Sequence, residues 1–135
     1  SMFVNCSKLK TVPLYNTSSV TNFTSTFQGC CDLESVPLFN TVAATNMTQM
    51  FSMSVTAYGA LTYVPDFNTA SVTTFANMFN NCTALRTAPT FNYTSATSCA
   101  SMFKSCTSLQ SFPGAVFTIN CSFIVVANIC RWFCI

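Results

Sequence analysis

The sequence predicts an α/β solenoid of about five turns, in which each repeat of 24 residues contributes one short strand and one short helix. A register of phenylalanine, cysteine, leucine, proline and asparagine recurs along the chain, and units this small can bury an apolar face only against one another. The chain has 135 residues, of which 50% are hydrophobic and 6% are charged. This length suits one domain with a core, and this hydrophobicity argues against disorder.

Phenylalanine sets the register of the repeat. A Met-Phe or Thr-Phe pair ends at Phe3, Phe27, Phe51, Phe79 and Phe103, so the steps are 24, 24, 28 and 24 residues. The consensus reads M-F-x-x-C-x-x-L-x-x-V/A-P-x-F-N-T-x-x-V/A-T-N-F/M. Residues 1–117 therefore divide into repeats near 3–26, 27–50, 51–78 (with an insertion within 52–60), 79–102 and 103–117.

A strand followed by a helix is expected in each repeat. The apolar segment L-x-x-V-P-x-F-N predicts a short strand, whose proline must lie where the ladder needs no N–H group. In the next stretch Val20, Phe23 and Phe27 are spaced by three and four residues and would share one helical face. Because Thr-Ser-Ser-Val-Thr-Asn is a weak helix former, we expect a short helix held by packing and capped by the recurring asparagine stretch.

Two recurring side chains are given roles inside or between the turns. The phenylalanines are expected to stack as ladders in the interior. The recurring asparagine admits two interpretations, either a ladder of amide hydrogen bonds between turns or a turn and cap residue within each turn. These asparagines are Asn16, Asn40, Asn68 and Asn92.

The nine cysteines also follow the register in part. One repeat position holds Cys6, Cys30, Cys82 and Cys106. We interpret them as a column of buried thiols, with disulfides between adjacent turns as the alternative. An odd number of cysteines leaves at least one free or intermolecular.

The composition argues against catalysis. The chain has no histidine, three acidic and five basic residues. It therefore lacks the residues for Ser-His-Asp or Cys-His catalysis, and its few acids favour neither paired carboxylates nor a calcium site. No C-x-x-C pair is present to bind zinc, and the scattered bases make no footprint for nucleic acid. We expect no enzyme activity, cofactor, metal or nucleic-acid partner.

Seven N-x-S/T sequons are candidate glycosylation sites if the chain is exported. They are Asn5, Asn16, Asn22, Asn46, Asn81, Asn92 and Asn120. Asn22 and Asn46 are favoured because they fall on the polar side of the expected helix. Asn16 and Asn92 are the poorest candidates if the amide ladder forms, since a buried amide cannot carry a glycan.

Positions that vary between repeats predict a recognition face along the strand segments. The candidate residues are Lys10, Leu14, Glu34, Leu38, Tyr63, Asp66, Arg86 and Thr90, together with Tyr58 of the insertion. An insertion in one repeat often lies on the binding face.

The last segment, residues 118–135, leaves the repeat. It is apolar, and residues 115–135 approach the roughly 20 residues of a membrane span. Asn120, Ser122, Asn128 and Arg131 interrupt it, so we expect a C-terminal cap or a docking segment rather than a transmembrane helix.

The consensus resembles the BspA-like leucine-rich-repeat surface proteins. The matching stretches include Asn46 to Phe51 and Asn77 to Cys82, and the resemblance covers residues 1 to about 117. It implies a leucine-rich-repeat-like solenoid with one strand per turn, an exported or cell-surface location, and adhesion or protein binding. This chain departs from the family by having an uncharged Phe/Tyr-Asn-Thr segment where the family has a charged or tryptophan-bearing one.

Two functions follow as hypotheses. The first is an extracellular, non-catalytic module for surface adhesion or protein recognition, acting through the variable face. The alternative is a structural subunit of a self-assembling, glycosylated extracellular filament that stacks head to tail, since a heterologous contact that does not close forms a filament.

Overall fold

The computed structural model describes residues 1–56 and 58–111. Within these ranges the backbone contains no helix, and its strand pairing is limited to isolated parallel bridges. One series of bridges joins Asn22 to Asn46, Asn46 to Thr74 and Thr74 to Ser98, and a separate bridge joins Thr87 to Ser111. The prediction of one helix and one strand in every repeat is therefore wrong.

The predicted helix fails because of left-handed backbone in its middle. Ser25, Gln49, Asn77 and Ser101 occupy one repeat position and have φ values of 54 to 56°. A residue in this region ends a right-handed helix, since the left-handed conformation reverses the path of the chain. A second series, formed by Asn5, Gly29, Asn81 and Ser105, has φ values of 59 to 72°. The segment therefore folds as consecutive turns.

Backbone hydrogen bonds join each repeat to the next along this turn segment. The N–H groups of Phe23 and Ser25 donate to carbonyl oxygens of the following repeat at 2.8 to 2.9 Å, and Phe27 N, which begins the next repeat, donates to the Met50 O at its end at 2.9 Å. Intervening N–H groups bond locally, as Thr26 N does to Phe23 O at 3.1 Å. Successive N–H groups thus donate in alternation to an acceptor in the same turn and to one in the neighbouring repeat. In this way the backbone polar groups are hydrogen-bonded although the segment has no regular secondary structure.

The predicted strand is reduced to a few backbone contacts near the prolines. Glu34 N donates to Lys10 O at 2.9 Å, and Arg86 N donates to Thr62 O at 3.1 Å. Proline lacks an N–H group and cannot extend this pairing through the following residues. The repeats consequently lie side by side here without forming a continuous strand ladder.

Two columns of aromatic rings form the core between the repeats. Phe3, Phe27, Phe51, Phe79 and Phe103 stack with centroids 5.3 to 5.6 Å apart and planes within 10° of parallel. A second column contains Phe39, Phe67 and Phe91 at 6.1 to 6.2 Å. The stacked phenylalanines inferred from the repeat register are present in the structure, and they join each repeat to its neighbours.

Threonine, rather than asparagine, makes the side-chain ladder between repeats. The buried hydroxyls of Thr17, Thr41 and Thr69 donate to the asparagine carbonyl of the following repeat at 2.8 to 3.0 Å. Each recurring asparagine is exposed, and its Oδ1 accepts the N–H two residues later, as Asn16 does from Ser18. Of the two interpretations, the structure has the local turn.

No helix within the described ranges is long and apolar enough to cross a membrane. The predicted cap or docking segment, residues 118–135, lies outside the described residues.

Candidate recognition surface

Charge is confined almost entirely to one side of each repeat. We call the ranges 7–15, 31–39, 59–67 and 83–91 the proline segments, and they hold six of the seven charged side chains of the described residues. The seventh, Lys104, lies in a turn. The stretches that follow the proline segments, 16–28, 40–56, 68–82 and 92–103, carry no charge. The fold therefore separates a charged, variable surface from a surface of hydroxyls and amides.

Two ion pairs link the first two proline segments. Lys8 Nζ lies 3.4 Å from Asp32 Oδ2, and Lys10 Nζ lies 3.8 Å from Glu34 Oε1. All four side chains are well exposed, so solvent screens each pair to less than about 1 kcal/mol. These residues therefore set the charge pattern of the surface more than they stabilise the fold.

A second line of side chains runs beside the ion pairs. Leu14 and Leu38 stand at equivalent positions in adjacent repeats and are 68% and 60% exposed. The next two repeats place Asp66 and Thr90 there, and Thr90 N donates to Asp66 Oδ1 at 2.7 Å. Exposed leucines at this position in two adjacent repeats add apolar surface to the segments that carry the charges, and exposed apolar surface of this kind is typical of interaction sites when it is grouped.

The two candidate tyrosines are exposed at different places. Tyr63 lies in the third proline segment and is 54% exposed, whereas Tyr58 of the insertion is 86% exposed. Met53 is buried under Gly59, where an added Cβ would lie 3.1 Å from the Met53 side chain. The insertion is thus held at its base while Tyr58 projects away from the core.

The sequon asparagines differ in solvent exposure, and their order differs from the predicted one, in which Asn22 and Asn46 are favoured. Asn5, Asn16, Asn22 and Asn92 are exposed, whereas Asn46 and Asn81 are half-buried. The amide nitrogen of Asn81 also donates to Met53 O at 3.1 Å. Asn16 and Asn92 are accessible because threonine makes the ladder. Asn120 lies outside the described residues.

The cysteine column consists of free thiols. Cys30, Cys82 and Cys106 are buried, and each thiol donates to a phenylalanine carbonyl of the preceding repeat at 3.0 Å. Burial raises the pKa of Cys30 to about 11 and of Cys106 to about 12, and it raises the pKa of Cys82 well above its usual value. These thiols are therefore protonated donors, whereas Cys6 is exposed.

No group of three or more cysteine and acidic side chains in the described part of the chain is placed to hold a metal ion. The threonine ladder and the thiol donors were missed by the sequence analysis. The threonine that directly follows the recurring asparagine is a sequence signal for the ladder. No sequence signal indicates that the cysteine thiols donate hydrogen bonds.

The repeats match a family model described as "Mycoplasma protein of unknown function, DUF285" over residues 1–115. The chain belongs to the DUF285 family. The match spans every repeat and ends close to residue 117, where the predicted repeat region ends. No curated protein and no solved structure gives a significant match. Because the function of DUF285 is unknown, the proposals for this DUF285 chain rest on its surface chemistry.

Proposed function

We propose that the chain is a non-catalytic recognition module that binds a protein partner in adhesion at the cell surface. The observation that carries this proposal is the variable surface of the proline segments, where equivalent positions hold different exposed side chains on a repeated frame. The resemblance to BspA-like surface proteins supports an extracellular location. DUF285 membership adds no activity to this argument.

The frame and the surface have separate chemistry. Stacked phenylalanines and backbone bonds between repeats recur with little change, so they hold each proline segment at a fixed place beside the next. The exposed positions change instead from Lys10 to Glu34 and from Leu38 to Asp66. A fixed frame with variable side chains suits recognition of a partner across several repeats.

The partner expected from this chemistry is a protein with mixed character. Leu14 and Leu38 offer an apolar patch, and the adjacent Lys10 and Glu34 offer both charge signs. A few buried residues near the centre of an interface supply most of its affinity, while charges at the rim guide association and specificity. Because this surface carries charges of both signs, it would not attract a strongly basic or strongly acidic partner.

Binding to immobilised extracellular-matrix protein tests this proposal. Beads coated with the chain should adhere to a matrix-coated surface, and a double variant with Leu14→Asp and Leu38→Asp should lose at least about tenfold in binding, since each change removes apolar contact area. Exposed serines on the uncharged side provide the matched control, Ser19→Asp with Ser71→Asp. Equal losses in both double variants, or no loss in either, would contradict a site on the proline segments.

Head-to-tail assembly is a second candidate, because successive repeats join through the same ring stacking and backbone hydrogen bonds at each boundary. A contact of this kind between two copies of the chain would not close on itself. Analytical ultracentrifugation and electron microscopy at rising concentration test it. Fibres support assembly, and a monomer throughout the micromolar range excludes it.

A further inference from the structure

Cysteines occupy the same repeat position in two pairs of successive repeats. Cys6 precedes Cys30 by 24 residues, and Cys82 precedes Cys106 by 24 residues. Ser54 stands at this position in the repeat between the pairs. All four cysteines are free thiols. The chain therefore holds two structurally equivalent pairs of reducing groups in adjacent repeats.

Both members of the first pair converge on one carbonyl oxygen. Phe3 O accepts the backbone N–H of Cys6 at 3.2 Å and the thiol of Cys30 at 3.0 Å. The second pair has the same arrangement, since Phe79 O accepts Cys82 N at 3.0 Å and the Cys106 thiol at 3.0 Å. This contact places each pair side by side across the boundary between two repeats.

Backbone bonds on both sides fix the register of the first pair. Asn5 N donates to Gln28 O at 2.7 Å, and Asp32 N donates to Ser7 O at 3.1 Å. Paired β-strands lie about 4.7 to 4.9 Å apart, and the same kind of backbone bond holds these two segments side by side. Disulfides join residues whose Cα atoms are about 4.4 to 6.8 Å apart, so residues at equivalent positions are within bonding range.

We propose that Cys6 and Cys30 form an oxidisable pair that closes a disulfide between the first two repeats, while Cys82 and Cys106 remain thiols. Access distinguishes the pairs. Cys6 is exposed and can meet an oxidant, and the buried Cys30 then needs to reach only the Cys6 sulfur, whereas both members of the second pair are buried, at 1% and 3% exposed. Burial raises the pKa of Cys30 as well as those of Cys82 and Cys106, so the access of Cys6, and not thiol ionisation, separates the two pairs.

The reaction needs a small-molecule disulfide as oxidant, such as oxidised glutathione. The Cys6 thiolate attacks one sulfur of the oxidant, forms a mixed disulfide and releases one glutathione thiolate. The Cys30 sulfur then attacks the Cys6 sulfur, and its proton passes to the departing glutathione sulfur, so that the second glutathione leaves as a thiol. Two electrons pass from the protein thiols to the oxidant, and one protein disulfide forms.

This disulfide would clamp the repeats that carry the Lys10–Glu34 ion pair and the exposed leucines. It would fix their relative position by a covalent bond in addition to hydrogen bonds. The disulfide does not depend on the proposed recognition function, since it follows from the thiol geometry alone.

Peptide mapping after oxidation tests the proposal. The folded chain is treated with oxidised glutathione, blocked with an alkylating reagent and digested without reduction. We expect a crosslinked peptide pair joining Cys6 to Cys30, with Cys82 and Cys106 recovered as unmodified thiols that are alkylated only after denaturation. The oxidised chain should also unfold at a higher denaturant concentration than the reduced chain.

Matched serine variants identify the pair. Cys6→Ser and Cys30→Ser should each abolish both the crosslink and the gain in stability, whereas Cys31→Ser should leave them intact, although Cys31 is the third free thiol nearby. Circular dichroism establishes that each variant is folded. A crosslink from Cys6 to Cys31, stable glutathione on Cys6 without a crosslink, or an equally fast reaction of Cys82 and Cys106 would overturn the proposal.

Discussion

At the scale of single residues, positive φ angles decide the local fold. Seven described residues other than glycine have left-handed backbone, and they recur at two positions of the repeat. Asparagine and serine hold six of the seven positions, and asparagine is the residue whose short side chain can stabilise this conformation by local hydrogen bonds. The repeat thus contains two reversals where a hydrophobic pattern alone indicates a helix.

Gly29 is the position where an added side chain should cost most. Its φ is 72°, and a Cβ would overlap with the Oδ1 atom of Asn5 in the first repeat. We expect Gly29→Ala to lower the free energy of unfolding by at least about 1 to 2 kcal/mol, the cost of left-handed alanine. Urea unfolding measures this loss.

A double-mutant cycle separates strain from overlap at this site. In an Asn5→Gly background the overlapping oxygen is absent, so Gly29→Ala should cost less than it does in the unmodified chain. Coupled neighbours differ from additivity by about 0.5 to 3 kcal/mol. Additive effects would show that the clash with Asn5 is relieved by a shift of its side chain.

The asparagines give a second prediction at this scale. When the chain is secreted from a eukaryotic host, we expect folded product to carry glycans at Asn16 and Asn92, whose side chains are exposed, and none at Asn81. A glycan on Asn81 would disrupt the bond from its amide nitrogen to Met53 O. Mass spectrometry of glycopeptides before and after glycosidase treatment measures occupancy, and a glycan at Asn81 in folded product would contradict this order.

At the scale of elements, the sequence predicts the period and the core but not the backbone. The spacing of Phe27, Phe51 and Phe79 is a pattern of side chains, and stacked rings follow from it whatever the chain does between them. The spacing of Val20, Phe23 and Phe27 also fits a helix, although Ser25 lies between them with left-handed backbone. Serine carries no sequence signal for that conformation, so apolar spacing favoured the wrong element.

The candidate surface was predictable in part for the same reason. Variable positions such as Leu14 and Leu38 are exposed because the core is formed by the residues that do not vary. The solvent exposure of Asn16 depends instead on whether Asn16 or Thr17 makes the hydrogen bond to the next repeat. Asparagine and threonine can both bond across a repeat, and only the backbone decides that Thr17 points inward.

The threonine ladder should stabilise the chain at the scale of elements. Thr41 is 1% exposed and donates to Asn68 O at 2.8 Å. Thr41→Val keeps the shape but removes the donor, so we expect unfolding free energy to fall by about 1 kcal/mol. Thr45→Val is the control, because the exposed Thr45 hydroxyl also donates across a repeat, to Thr21 O at 3.2 Å, but water can replace it there. Chemical denaturation compares the two variants, and equal losses would exclude a special role for the buried ladder.

At the scale of the whole molecule, the repeats are held by contacts between neighbours. Phe27, Phe51 and Phe79 each stack on the rings before and after them, and the turn segments donate backbone N–H groups to the next repeat. Stability should therefore arise from a sum of terms between adjacent repeats, with surface charges adding little. The resolved pKa shifts among the described residues belong to buried thiols and to Tyr93, and all are raised by burial.

This distribution gives a pH dependence for the whole chain. A buried thiol stays protonated in the folded state at a pH where the same thiol ionises in the unfolded chain, whose thiols have a pKa of about 9. The folded state then binds more protons, so the free energy of unfolding is unaffected below this pKa and falls as the pH rises above it. Each fully buried thiol can lower the free energy of unfolding by up to about 1.4 kcal/mol per pH unit in this window.

Thermal unfolding under reducing conditions should show a Tm that falls from about pH 9 to 11. Cys82→Ala should make this fall less steep, although the variant has a lower Tm at pH 7 because it lacks a buried side chain. An unchanged slope in this variant would show that the Cys82 thiol ionises alike in the folded and unfolded chain.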